Sequence, residues 1–372
     1  MWGLFLSEVC RILRYTSVKL LLCLIDFTGY YFMFKTIMSK PTTNNIMIKG
    51  ATTIAILAAL TGCQTLPSTE IKKPNNIVVD SNPLTAAMPA IDRQGHIAYV
   101  EEQGVGSAKV STLYSIRPDG SDRQRIDQIT GYIYAPAWSA DGQLLAYSKQ
   151  APREHPKIYI YDKSSKTHNL VVNAEGSNMS ASFSPDGQYL LYSSTVGGNA
   201  DIYKMRLSDG KTEQLTTLPS TEVQPSYAAD GKSFVYTSDK VRAGRPRIYR
   251  YHFATGKAVS VPTNGYVASP QLSVDGQRMA YLNGRKAAVM TLTTGHVLNL
   301  AETGLDEPAR LSPSGKYAVY PTRHSKISGQ VGGQSLGRQK GGDLVIHSLS
   351  GNTSYAINSQ NGGVVRSPIW GR

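Results

Sequence analysis

The chain has 372 residues, enough for a large core in one or two domains. Charged residues make up only 17% while Gly, Pro and Tyr number 34, 19 and 22, which argues against long charged helices and for many short strands joined by turns. The net charge of +13 leaves nucleic acid, anionic lipid and acidic protein open as partners, and the last of the three cysteines is Cys63, so the long C-terminal body has neither an internal disulfide nor a cysteine metal site.

Residues 1–46 read as an untranslated or signal-like extension. Their apolar run Val18–Phe34 carries Lys19 and Asp26, and Met38 and Met47 each offer a later start. Residues 47–62 read as a signal peptide. Lys49 supplies the positive start, and Ala51–Leu60 is a ten-residue apolar stretch, too short to span a bilayer. The run closes on Leu60-Thr61-Gly62-Cys63, which resembles the lipobox of bacterial lipoproteins, in which the cysteine is acylated and becomes the first residue. The resemblance implies lipidation at Cys63 and a membrane anchor, since each buried methylene of an acyl chain contributes about 0.8 kcal/mol. Residues 63–86 continue from that cysteine as a Pro-, Ser-, Thr- and Asn-rich flexible tether.

From residue 87 one phrase recurs. Ser180–Ser194 is SASFSPDGQYLLYSS, and its kin are APAWSADGQLLAYS from Ala135, QPSYAADGKSFVYTS from Gln224 and SPQLSVDGQRMAYL from Ser269. Worn versions start at Met88 and Pro308. The turn glycines 95, 142, 187, 231, 276 and 315 are 47, 45, 44, 45 and 39 residues apart. Each phrase is a hairpin around a Gly-containing turn, and each is followed by a second strand pair, such as Ile202–Leu207 and Glu213–Thr216 around SDGK. A four-stranded unit of this length has two apolar faces and cannot bury both alone, so six of them predict an all-β, six-bladed β-propeller over residues 87–372. Trp138, Tyr159, Phe183, Tyr203, Tyr227 and Tyr249 are expected in the core between blades. The closing Ser367-Pro368-Ile369-Trp370 is a first strand without its turn, suited to complete the first blade.

These residues carry a family likeness. Ser184-Pro185-Asp186-Gly187 is similar to the PD40-type repeat. Thr237–Tyr249 (TSDKVRAGRPRIY) and the closing SPIW resemble the propeller of the TolB family of the Tol–Pal envelope system. The likeness implies a non-catalytic, periplasmic protein that binds a peptidoglycan-associated lipoprotein at the mouth of the axial channel. The loops leading into each blade would then offer Tyr134, Ser177, Asn178, Val223, Gln224, Ser269, Asp306 and Glu307, and the AGRP run adds Arg245. TolB proteins carry an α/β domain before the propeller that meets TolA. A tether stands in its place here, which leaves the TolA contact in doubt. The lipobox in turn places the chain at a membrane, expected to be the outer membrane of a Gram-negative bacterium.

Strand alternation puts the loops between second and third strands on the same face as the loops leading into the next blade. They hold Lys149, Arg153, Lys157, Lys240, Arg242, Arg245, Arg247, Arg285, Lys286, Arg323, Lys326, Arg338 and Lys340 against Glu154 and Asp239 only. An acidic envelope protein suits such a rim, whereas nucleic acid is out of reach outside the cytoplasm. Gly333-Gln334-Ser335-Leu336-Gly337 matches G-x-S-x-G but lacks the flanking strand and helix of a nucleophile elbow, the seven histidines are scattered, and no cofactor or metal motif is present. A propeller enzyme with PD40 repeats, such as a polysaccharide lyase or a peptidase relative, and an outer-membrane assembly scaffold are the alternatives.

Overall fold

The repeated turn builds the same structure each time. Asp186 accepts hydrogen bonds from the Ser184 hydroxyl (2.5 Å) and from the Gln188 N–H (3.0 Å), and the Gly187 N–H reaches back to the Ser184 carbonyl. Gly187 sits at φ 69°, open to glycine at little cost. Ser139-Ala140-Asp141-Gly142 repeats this set of contacts. A short aspartate that bonds its own backbone two residues on, followed by glycine, is what reverses the chain here.

The computed structural model describes residues 95–303, 306–322, 342–351, 353–359 and 362–372, with short strands at Ile77–Val78, Gln330–Val331 and Gln334–Ser335. Its hairpins assemble into six antiparallel sheets, the blades of a β-propeller, with almost no helix. Blade two consists of Tyr132–Trp138, Leu144–Gln150, Lys157–Asp162 and Thr167–Val172. Blade three is Asn178–Phe183, Tyr189–Ser194, Asp201–Arg206 and Thr212–Gln214. Blade four is Glu222–Tyr227, Ser233–Ser238, Arg247–His252 and Lys257–Ser260, and blade five is Val267–Leu272, Arg278–Asn283, Lys286–Thr291 and Val297–Glu302.

The remaining two blades join distant parts of the chain. Blade one takes its first strand, Val364–Gly371, from the C-terminus and pairs it antiparallel with His96–Gln103, which is followed by Val110–Ile116 and Gln124–Thr130. Blade six is Arg310–Leu311, Tyr317–Thr322, Asp343–Ser348 and Ser354–Asn358, with Ile77–Val78 added in parallel at its outer edge. Those two residues lie in the segment read as a tether, and they satisfy an edge that would otherwise stand open.

Burial follows the seams. Six apolar clusters each lie between consecutive blades. The cluster of Ile97, Tyr99, Val365 and Trp370 with Tyr317, Val319, Leu344 and Ile346 joins blade six to blade one. The six aromatics expected between blades all belong to these clusters. Tyr147, Tyr236 and Tyr281, the tyrosines of three second strands, are at most 1% exposed.

The first strands share one irregularity. Ala135, Ser180, Gln224, Ser269 and Ser367 stand in phase, and all have φ between 48° and 58°. Each lies at a register shift against its second strand. Such a conformation in a non-glycine residue costs about 1–2 kcal/mol. The bulge turns the N–H away from the open edge and onto the neighbouring blade. Ser180 donates to the Ser148 hydroxyl (3.2 Å), Gln224 to that of Ser193 (3.1 Å) and Ser269 to that of Thr237 (2.9 Å).

Candidate functional site

The residues expected at the channel mouth lie on first strands or just before them, so blades two to six bring them to the same face. Their roles differ. Asn178 is fully buried; its amide donates to the Ala174 and Gly176 carbonyls and its oxygen accepts from Ser194, so it holds the loop into blade three. Ser177 is half-buried, its N–H on Thr195 and its hydroxyl 3.4 Å from His155. The Gln224 side chain accepts from the Thr237 hydroxyl and the Ser269 N–H, bridging blades four and five. Ser269 is buried, and its carbonyl accepts from Arg310 at 2.7 Å.

More of this set faces outward. Tyr134 and Val223 are half-buried, Tyr134 donating to the Gln150 side chain, and burial raises its phenol above the usual range. Asp306 is exposed at φ 53°. Glu307 is not a free acid. Its carboxylate accepts from the Ser367 N–H (3.3 Å) and lies 3.6 Å from the Arg366 guanidinium. Burial raises the Glu307 carboxyl, and Arg366 and Arg310 oppose that shift.

Arg366 was not foreseen as part of the site. It stands in phase with Tyr134 and Val223, and its Nε donates to Glu102 at 2.8 Å, while Lys109 reaches the same carboxylate at 3.1 Å. Glu102, Lys109, Arg366 and Glu307 thus form a charged chain where blade six meets blade one. The signal in the sequence was Glu101-Glu102, two and three residues after Tyr99, where blades two, three and four carry Lys-Gln, Ser-Thr and Ser-Asp at the same places after their second-strand tyrosine.

The basic rim is narrower than the loop sequences suggest. Lys149 pairs with Asp127 at 2.8 Å, Lys157 with Glu154 at 3.4 Å and Arg285 with Glu302 at 3.0 Å. Arg247 donates to the Gly265 carbonyl. Arg323, Lys326, Arg338 and Lys340 lie outside the described residues, as does Cys63. Among the described residues Arg153, Arg242, Arg245 and Lys286 are exposed and enter no ion pair, and Lys240 packs over the Tyr249 ring at 3.8 Å.

Three of these cations therefore project from one loop of blade four, residues 239–246. Asp239 fixes that loop by accepting from the Gly244 N–H and from Thr221 of the preceding loop, both at 3.0 Å, and Val241 is 77% exposed at its tip. The result is an anchored, cationic loop with an apolar tip.

Among the described residues no three His, Cys, Asp or Glu side chains converge as metal ligands. His168 bonds the Tyr147 hydroxyl, His96 lies against Asp122, and the His347 ring nitrogen meets the Ser354 hydroxyl. Gly333, Leu336 and Gly337 of the G-x-S-x-G run lie outside the described residues.

Fold and repeat define a six-bladed propeller of the PD40 class. The family model described as the TolB beta propeller domain matches residues 93–372, and the chain belongs to that family. It is 27% identical over 252 residues to the Tol-Pal system protein TolB of Francisella tularensis subsp. mediasiatica, covering 64% of this chain and 54% of the relative. The chain thus spans about half the length of the curated relatives it matches. The crystal structure of TolB from Acinetobacter baumannii superposes with a TM-score of 0.65 at 33% identity, over 75% of this chain and 67% of the other. A propeller in a nidogen/laminin complex, at 9% identity and a TM-score of 0.55 over 75% of this chain and 99% of that one, shares the fold alone.

Proposed function

We propose that the chain is a non-catalytic binding propeller of the Tol–Pal kind. It is lipidated at Cys63, faces the periplasm from the outer membrane, and grips a peptidoglycan-associated lipoprotein or another acidic envelope protein. The observation that carries this reading is the projection of Lys240, Arg242 and Arg245 from the blade-four loop, on the face where the first strands begin. Opposite that face the turns carry Asp141, Asp186, Asp230 and Asp275 beside Lys163, Lys166, Lys211 and Lys257, a balanced set. Electrostatic complementarity sets approach and register, so one cationic face selects one docking side. Tyr134, Val223 and Asp306 contribute contacts at the channel mouth, and Asn178, Gln224, Ser269 and Glu307 hold that mouth in shape.

The test uses the full lipidated chain in detergent, presented to the peptidoglycan-associated lipoprotein of the same cell. Binding should weaken with salt, and the triple reversal K240E/R242E/R245E should lower affinity by about tenfold or more. Mass spectrometry should find acyl chains on Cys63. Binding indifferent to both salt and reversal, or turnover of a glycan or peptide, would sink the reading.

A further inference from the structure

Blades three and four meet through two acids that the partner face does not use. Asp201 opens the third strand of blade three and Glu222 the first strand of blade four; they are 2% and 0% exposed. In phase with Glu222 the first strands of blades one, two, three and five carry Val365, Ile133, Asn178 and Val267, none of them an acid.

Donors surround the pair almost completely. Asp201 accepts from the Thr216 hydroxyl at 3.0 Å on one oxygen, and from the Gln214 (3.2 Å) and Asn199 (3.4 Å) amides on the other. One Glu222 oxygen accepts from the hydroxyls of Ser220 (2.6 Å) and Ser238 (2.7 Å). The other oxygen, Oε2, is buried and receives no donor, and the Glu222 N–H donates to the Ala200 carbonyl at 2.8 Å, which sets Glu222 beside Asp201.

Two bare carboxylates cannot meet in a buried seam without a positive charge between them. Among the described residues no cation pairs with either acid. The titratable groups that face the pair are the phenols of Tyr203, Tyr236 and Tyr249. Nearby on blade four, Asp239 is spent on backbone N–H groups, Lys240 lies over the Tyr249 ring, and Arg247 is directed to Gly265. A metal ion would need several free oxygens, whereas five donors already occupy all but one. That leaves room for a proton.

We propose that Asp201 and Glu222 share a single proton, and that this shared proton is a pH-sensitive clasp between blades three and four. The clasp sits beneath the segment 217–221, which the Asn199 amide ties down through the Leu218 and Ser220 carbonyls and which leans on Asp239 of the cationic loop. Loss of the proton sets two charges against each other and loosens that segment together with the loop it supports. Burial raises both carboxyls; the Thr216 hydroxyl, Glu222 and the Gln214 amide oppose this at Asp201, and at Glu222 the Ser220 and Ser238 hydroxyls oppose it while Asp201 adds to it.

The sign follows from linkage. The folded chain holds a proton that the unfolded chain releases once pH exceeds the ordinary carboxylate range, so stability from this pair falls as pH rises through the folded value. At its steepest, one extra proton bound in the folded state changes the folding equilibrium tenfold per pH unit.

Thermal unfolding of the full chain from about pH 5 to about pH 8 reads this directly. The wild type should lose melting temperature on the alkaline side, and Asp201→Asn and Glu222→Gln should flatten that loss, because each keeps one donor toward the remaining acid. Should a variant not fold, infrared spectroscopy of the wild type should still show one protonated carboxyl band that disappears as pH is raised, with faster amide exchange at Thr221 and Glu222. Identical pH profiles in wild type and variants, or no such band near neutral pH, would overturn the clasp. A melting temperature that rises with calcium and falls with a chelator would overturn it in favour of a metal.

Discussion

The seams between blades two and five and the seam between blades six and one solve the same problem with different chemistry. Both must satisfy the backbone N–H of a bulged first strand. From blade two to blade five a neighbouring hydroxyl accepts it: Ser148, Ser193 and Thr237 in turn. Where blade six meets blade one, the acceptor is the carboxylate of Glu307, itself tied through Arg366 to Glu102. A hydroxyl is small and neutral and fits any repeat. The charged chain is stronger only if complete, because each buried ion left alone must bear its own desolvation cost. The ring thus has interchangeable joints along its length and a less tolerant one at its closure.

Removing Arg366 should break that contrast most sharply. Arg366→Ala leaves Glu307 buried beside Arg310 alone and strips Glu102 of one of two cations. A loss of about 3 kcal/mol is expected in urea unfolding, the usual cost of removing one partner from a buried ionic network. A loss under about 1 kcal/mol would mean the closing seam is no more ionic in its energetics than an exposed pair. Ser193→Ala makes the matching cut in a hydroxyl seam. It leaves the Gln224 N–H without its acceptor and should cost about 1–2 kcal/mol. Equal losses at the two sites would erase the distinction between the joints.

The same contrast explains what the sequence makes legible. The turn glycines and the alternating strands recur because every hairpin needs them, so blade number, strand order and the interblade aromatics can be read directly. The charged joint cannot. Glu102, Glu307 and Arg366 are separated by up to 264 residues, and each looks like drift in a worn repeat until the fold brings them together. The rim cations mislead for a related reason. The partners of Lys149 and Arg285 are on other strands, 22 residues back and 17 ahead, so a tally of charges by loop overstates what stays free. Glu222 is legible only as an acid where four other first strands carry none; that it meets Asp201 follows from the packing of two blades.

The smallest effect belongs to the turns, where acids behave opposite to the seam pair. Asp141 and Asp275 accept from a serine hydroxyl and a backbone N–H, and these bonds hold their carboxyls below the ordinary range, as they do for Asp186. A carboxyl lowered on folding contributes stability that is present above its unfolded value and fades as pH falls through the folded one. The turn acids therefore weaken the fold in acid, while Asp201 and Glu222 weaken it in alkali. Asp141→Asn should reduce the acid-side loss and leave the alkaline side untouched, at a cost of no more than about 0.5 kcal/mol at neutral pH because Asn forms the same turn. The double variant with Glu222→Gln should show both reductions in sum, since the two sites share no partner and their effects should add. If Asp141→Asn instead altered the alkaline limb, the turns and the seam would be coupled through the blade, and the two faces of the propeller would not titrate independently.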